Sequence, residues 1–389
     1  MKKLPTSLML LLSMTAFAGQ ASTVTPSEAK PVSSQAKAKV NLAASKRLMA
    51  QDISRQYHKI SAVLRNEINE YNLKVNVDNL LNADVMDTKQ LQQADLSIKS
   101  AKGLESVNEA LVELRLAHES MLAAWQAGES PLFAFAPEGN DSQWEYIEAY
   151  DVDGNIQLLD AYVLPERPVF VVGVDGQRSL SEGLKVMRAV FSGQGNKAAL
   201  NSLSANASAS IAADDGSLST TVIKKIHLND DQEPWISGAA EIYGIVNGVN
   251  PSRDEPYLDI VEMPYLDHDG TTYTPNQIAI YWDRYRWSAA DMILMEHDDG
   301  TNYKDLATAL LEAATAIMRL IPDPAVQGYA IIPQITNGII SAMPDAWFTN
   351  DDDYVDVYYT LFEDRTYNDH MGAGGNAKTT FEPLEIAPR

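Results

Sequence analysis

The 389-residue chain contains no cysteine. That excludes disulfides, thiolate metal sites, a cysteine nucleophile and lipidation of an N-terminal cysteine. Basic residues are scarce: 30 Lys and Arg stand against 53 Asp and Glu, for a formal net charge of −23. Nucleic-acid binding rests on basic contacts to phosphates, so no nucleic-acid partner is expected. Docking to anionic lipid is expected only if a cation bridges the two. After the first residues, no run approaches the roughly 18 apolar residues of a membrane helix, so no transmembrane segment is expected. There is no G-x-x-x-x-G-K-[ST] loop and no G-x-G-x-x-G turn opening a helix. Ser237 lies in W-I-S-G-A, which is not the G-x-S-x-G elbow of a serine hydrolase.

What is present is globular. Apolar residues make up 45% of the chain, with six Trp and 17 Tyr, enough for a sizeable core. The length suits two ordinary domains. Residues 1–21 read as a signal peptide, with Lys2 and Lys3, a short apolar core at 8–17 and small residues at Ala16-Phe17-Ala18 or Gly19-Gln20-Ala21. The protein is therefore expected to be exported, to the periplasm or the medium. Residues 22–40, rich in Ser, Ala, Lys and Pro, read as a disordered leader.

Residues 41–191 read as an α+β domain. Met49, Ile53, Tyr57, Ile60, Leu64 and Ile68 recur at helical spacing over 41–72. Leu104, Val107, Leu111, Leu114, Met121 and Trp125 predict a second helix over 104–125, ended by Gly128. The two should form a helical hairpin. Strands are expected at 132–136, 144–150, 156–163 and 169–174, with an Asp153-Gly154 hairpin turn. Asp151, Asp153 and Asn155 resemble the start of a calcium loop, but Ile156 and Tyr162 stand where an EF-hand needs Gly and Glu, so a plain hairpin is expected. A short helix follows at 183–191. Residues 192–219 (SGQGNKAALNSLSANASASIAADDGSLS) read as a linker.

Residues 220–389 read as an antiparallel β-sandwich with one inserted helix. Strands are expected at 221–228, 240–246, 258–263, 278–282, 292–296 and 354–362. The helix runs over 303–320, with Asp305 in its first turn and Arg319 in its last, and Pro322 and Pro324 beyond it. A further short helix fits 331–342 only after Pro333. Gly372, Gly374 and Gly375 read as a flexible loop.

The blocks KKIHLNDDQEPWISGAAEIYGIV, MPYLDHDGTTYTPNQ, ILMEHDDGTNYKDLATALL and AMPDAWFTNDDDYVDVYYTL resemble an exported bacterial family known only as domain of unknown function 3103. That resemblance implies no activity and assigns no residue roles. The C-terminal half is also broadly similar to a C2-type calcium-binding sandwich, a likeness of architecture alone.

Candidate chemistry centres on carboxylates. If the first five C-terminal strands alternate in direction, the connections after the odd ones emerge at one end. These carry Asp230 and Asp231, then Asp267 and Asp269, then Asp298; Asp352 and Asp353 precede a later strand that can share the end. A pair of like charges 4 Å apart costs about 4 kcal/mol at an effective dielectric near 20, so such a gathering calls for a cation. Calcium takes six to eight oxygens and is the expected cofactor. Solvated turns are the alternative, because Asp favours turns anyway. The function expected is calcium-dependent binding, with an unidentified partner, a calcium-bridged one of the envelope or the extracellular space. A secreted metal-dependent hydrolase using His268 or His297 and a structural envelope protein are the alternatives, although neither histidine lies in H-E-x-x-H. Surface positions are the default for both. His227 is expected half-buried on a strand, and His58, His118 and His370 have no evident partner. Trp235, Trp282, Trp287 and Trp347 suit a glycan platform but more commonly fill a core.

Overall fold

The computed structural model describes residues 42–82, 87–139, 143–195, 217–229, 235–238, 241–252, 254–268, 270–297, 300–343 and 354–388. The expected signal peptide and leader lie outside these residues, as does most of the expected linker. Residues 40–389 form one compact unit.

The first sheet comes from the N-terminal half. Helix α1 (Leu42–Glu67) leads through β1 (Lys74–Asn76) and the short α2 (Val77–Asn82) into α3 (Lys89–Lys102). Then come β2 (Val112–Leu116), α4 (Leu122–Gln126), β3 (Leu132–Ala134), β4 (Tyr146–Tyr150), β5 (Ile156–Asp160) and β6 (Val169–Val174). The strand order is β1-β2-β6-β3-β4-β5. All pairs are antiparallel except β3 with β6. Helix α1 lies on this sheet, where its Tyr57 packs against Phe133 of β3, which stacks on Phe170 of β6.

The expected helical hairpin exists, but its second helix is not residues 104–125. It is α3, which packs on α1 through Leu91, Ala94 and Ile98. Gly103, at φ 70°, caps it with its N–H on the carbonyls of Lys99 and Ser100. That left-handed cap ends the helix where the periodic reading began it. Residues 112–116 become instead the strand between β1 and β6. Their helical spacing is overridden by pairing with Val169–Val174, because the stretch VELRL is mostly buried. Helix α3 was hidden by its polar composition. Its Asp95 and Lys99 are buried yet satisfied by each other at 2.8 Å, with Asp95 also accepting the Leu111 N–H at 2.7 Å.

Helix α5 (Gly176–Gly195) follows β6 directly and is longer than expected. The C-terminal half then builds two sheets. One holds β7 (Leu218–Leu228), β10 (Thr272–Tyr273), β11 (Gln277–Tyr281), β14 (Tyr367–Met371) and β15 (Ala377–Ile386). Its order is β10-β7-β15-β14, with β11 also on β7. The other is β13-β12-β8-β9, from β8 (Ile242–Val249), β9 (Pro256–Glu262), β12 (Ala289–Glu296) and β13 (Tyr354–Phe362). Ile223, Ile226 and Phe381 of the first meet Val246, Met292 and Leu294 of the second in one core, so the pair is a sandwich.

The second sheet of the sandwich is covered on its outer face as well. Helices α6 (Tyr303–Leu320) and α8 (Ile332–Ala342), joined through the one-turn α7 (Pro324–Gln327), pack there with α5. Every residue of β8 and β12 is consequently buried, which is why they read as near-continuous apolar runs. This outer core is continuous with that of the first sheet. The chain boundary expected at 192–219 therefore falls between the two halves in sequence, but those halves share a core.

The seam is close-packed. Gly183 of α5 faces the ring of Tyr303 on α6 with no room for a Cβ. Gly183→Ala should lower stability by about 1–3 kcal/mol through overpacking, read from the urea midpoint. A more stable variant would show that the helix pair can separate at little cost.

Three strands of the sandwich were not anticipated, the two-residue β10 and two in the tail. The glycine-bearing tail is a hairpin, β14–β15, and β15 lies inside its sheet, paired with β7 from Ala377↔Leu228 to Ile386↔Leu218.

Candidate functional site

Strand register decides where the acidic connections emerge. Strands β9 and β12 both run antiparallel to β8, hence parallel to each other. Glu262 pairs with Tyr243 and Glu296 with Ile242, so their C-terminal ends are flush. The first residue of β13, Tyr354, pairs with Met295 at the same level. The end of β7 is drawn in from the facing sheet. Leu228 C=O accepts the Gly270 N–H at 3.0 Å, and Asn229 N–H donates to Asn376 C=O at 3.0 Å.

Of the seven carboxylates singled out from the sequence, Asp267 is described. It is half-buried in the β9–β10 connection, where the Tyr273 hydroxyl donates to its Oδ1 at 2.7 Å. Asp230, Asp231, Asp269, Asp298, Asp352 and Asp353 lie outside the described residues. Their described chain neighbours Asn229, His268, Gly270, His297 and Tyr354 all belong to the strand ends and connections just named. Among the described residues, no three His, Asp or Glu side chains are grouped to hold a metal ion.

Tyr273, the donor to Asp267, lines a cleft that the sequence reading missed. Pro264, Tyr265, Tyr273, Thr274, Pro275 and Gln277 line an open space of about 490 Å³. The Tyr265 and Tyr273 rings stand 6.0 Å apart. The Tyr265 hydroxyl donates to Gln277 Oε1 at 2.6 Å, and Gln277 Nε2 donates to Glu262 C=O at 2.7 Å. Burial pushes the Tyr265 phenol well above its ordinary range, so it stays a neutral donor. The cleft forms because β10 and β11 both pair with β7, folding the Pro264–Gln277 connection back on itself. The only sequence signal was the flanking of the acidic turn by P-Y and Y-T-P.

The histidines divide. His268 is exposed, as expected. His297 is not on the surface: it is 8% exposed, its ring stacks on Tyr303, and its Nδ1 lies 2.8 Å from the Tyr303 hydroxyl. The reason is the seam, since Tyr303 also approaches Ser179 of α5 and lies under the Lys102 ammonium of α3. Asn302 closes the same seam. Its Oδ1 caps α6 by accepting the Asp305 N–H, and its Nδ2 donates to Ala101 C=O at 2.8 Å. His227 is half-buried on β7 as expected, with Nδ1 3.1 Å from Thr271 C=O. Two histidines thought to lack partners have them. His118 accepts the Ser120 N–H, and His370 lies between the rings of Tyr358 and Tyr367. The tryptophans are mostly core: Trp282 is buried, with its indole N–H on Thr221 Oγ1 at 2.9 Å, while Trp235 and Trp287 are partly buried. Trp347 lies outside the described residues.

A second cleft of about 400 Å³ opens between α1, the residues after α4 and the β4–β5 turn, with His58, Arg65, Glu129 and Asp153 on its walls. Arg65 is committed to structure there, donating to the carbonyls of Trp125 and Gln126. Among the described residues, no helix is long and apolar enough to cross a membrane.

An α+β chain, with a two-sheet sandwich backed by helices, is thus the class of protein that the fold defines. The chain belongs to the family described as "Protein of unknown function (DUF3103)", which it matches over residues 46–389. No curated protein and no solved structure matches it.

Proposed function

We propose that this is an exported binding protein that uses calcium, held at the acidic end of the sandwich, to engage an anionic partner. The observation that carries the reading is the position of Asp267. It belongs to the acidic connections and, through Tyr273, to the wall of the tyrosine cleft. A cation at that end would sit beside a surface of aromatic ring faces, prolines and one amide. The partner is taken to present an anionic group to calcium and a flat apolar part to Tyr265 and Tyr273. A chain of net charge −23 repels anions unless a cation intervenes, so calcium would supply the attraction as well as order the connections. Binding is favoured over hydrolysis because His297 is enclosed against Tyr303, away from solvent. A metal-bound hydrolytic water needs an accessible position.

Elemental analysis of the mature protein, purified without chelator, checks this. At least one calcium per chain is the expected result. Stoichiometric zinc instead would favour a hydrolase, and absence of any metal at millimolar calcium would leave a structural role.

A further inference from the structure

The first sheet ends in an edge with which no further strand pairs among the described residues. Strand β5 pairs with β4 on one side and with no strand on the other. The bonds Ala161 N–H to Glu145 C=O and Asp151 N–H to Asn155 C=O place the odd-numbered residues in the ladder with β4. The N–H and C=O groups of Ile156 and Leu158 therefore point along the open side. Their side chains are exposed, Ile156 at 53% and Leu158 at 65%. Tyr146, Tyr162 and Val163 are exposed near them, so five of the fourteen exposed large apolar side chains among the described residues fall within 146–163.

The other edges are blunted in the ways that prevent strand addition. Strand β1 has three residues and β10 two, and β11, the other edge strand on β7, carries a register shift between Ile278 and Ile280. Strand β14 contains Asp369 at φ 46° and a register shift, and β13 has Thr360 at φ 53° in a bulge. Strand β9 starts at Pro256 and is covered by α5. Strand β5 has no proline, lysine or bulge. Residues 155–159, NIQLL, are uncharged in a chain of net charge −23. Two copies approaching over these five residues bring no like charges together there.

We propose that β5 is a dimer interface, pairing antiparallel with β5 of a second copy across a dyad at Gln157. The register follows from what is already occupied. The Trp235 indole N–H donates to Asp160 C=O at 3.0 Å, closing that end of the edge. A dyad at Leu158 would need this carbonyl. A dyad at Gln157 does not: Ile156 and Leu158 of one copy exchange four backbone hydrogen bonds with Leu158 and Ile156 of the other. Gln157 faces its own equivalent, and the two six-stranded sheets become one. Charge fits the same register. Gly154 falls opposite the second copy's Asp160, and Arg55 lies over Gly154, its Nε 2.7 Å from where a Cβ would stand. Each Arg55 is thereby brought beside an Asp160 carboxylate across the dyad, twice per dimer.

Because the chain has no cysteine, Gln157→Cys supplies a single thiol. Directly opposed residues whose backbone groups turn away from the partner have Cα atoms about 4.5 Å apart, within disulfide range. Mild oxidation of the mature protein carrying Gln157→Cys should give a covalent dimer, while Leu320→Cys, on an exposed helix end, should not. Sedimentation velocity should show wild-type dimer, with association weakened at least tenfold by Leu158→Lys and by Arg55→Glu, both at exposed positions that leave the melting of the monomer intact. Wild-type monomer at all concentrations, or equal cross-linking of both cysteine variants, would overturn the proposal. Dimer that persists in Leu158→Lys would place the interface elsewhere.

Discussion

Asp356→Ala is expected to destabilise the protein by about 4 kcal/mol, because it empties a cradle of backbone donors. Asp356 is fully buried on β13. Its Oδ1 accepts N–H groups of Gly374 at 2.6 Å and Val357 at 2.7 Å, and its Oδ2 accepts those of Asn376 at 2.9 Å and Ala377 at 2.8 Å. Successive N–H groups turned to one side make an anion site, and here the anion is the chain's own carboxylate. A Cβ on Gly372 would overlap that carboxylate, which accounts for glycine there. Each donor left buried and unmet costs about 1–3 kcal/mol, reduced where water enters. Because the compact unit spans residues 40–389, an unfolding entropy of about 2.1 cal/mol/K per residue gives about 1.4 °C per kcal/mol, so the melting temperature should fall by roughly 5 °C. Asp356→Asn should lose about half as much, since one oxygen still accepts. A fall of less than about 2 °C in Asp356→Ala would mean that the hairpin is held by β15 pairing alone.

The second large effect is a pH dependence. Asp291 is fully buried on β12 opposite Asn247. Burial pushes its carboxyl up to about 6, although the Thr336 hydroxyl at 2.5 Å and the Thr360 N–H at 2.7 Å act the other way. An acid whose folded pKa exceeds its unfolded value binds its proton more tightly when folded. Stability is thus greatest below the unfolded value, about 4, and falls as pH rises towards 6. The whole effect is about 3 kcal/mol for a shift of about two units. Asp291→Asn keeps an acceptor for the Thr360 N–H and does not titrate. Urea midpoints of the two proteins should diverge in favour of the variant between pH 4 and 6 and then run parallel. Parallel curves throughout would show that Asp291 keeps an ordinary carboxyl in the folded state.

Much of this fold could be read from the sequence where a single period dominated. The strands at 169–174 and 354–362 and the helix at 303–320 have the bounds that their apolar patterns indicate. Failures arose where long-range pairing outweighed local spacing. Residues 112–116 have helical periodicity yet lie between two strands, and α3 buries Asp95 and Lys99 in a way no hydrophobic pattern reveals. The β14–β15 hairpin was masked by glycines that serve Asp356, a residue some 18 positions away. The Asp-rich turns were legible in the sequence as turns, although of the seven carboxylates singled out Asp267 alone falls among the described residues. The tyrosine cleft was not, because it depends on β10 and β11 sharing one partner strand.

The central claim is that calcium binds where Asp267 and the neighbouring acidic connections meet. Extracellular calcium modules bind with dissociation constants of about 10⁻⁴ to 10⁻³ M, and a ligand at about 100 times that value stabilises the folded state by roughly 2.7 kcal/mol. The most direct measurement is the melting temperature of the chelated mature protein titrated with calcium, against sodium chloride at matched ionic strength. Magnesium, which demands a tighter octahedron, serves as a second control. Asp267→Asn retains an acceptor for Tyr273 and Asp231→Asn removes a second charge, so the double variant should keep its fold. The account predicts a rise of several degrees with calcium, a smaller one with magnesium, and none in the double variant. An equal rise with sodium chloride alone, or an undiminished calcium response in the double variant, would contradict it.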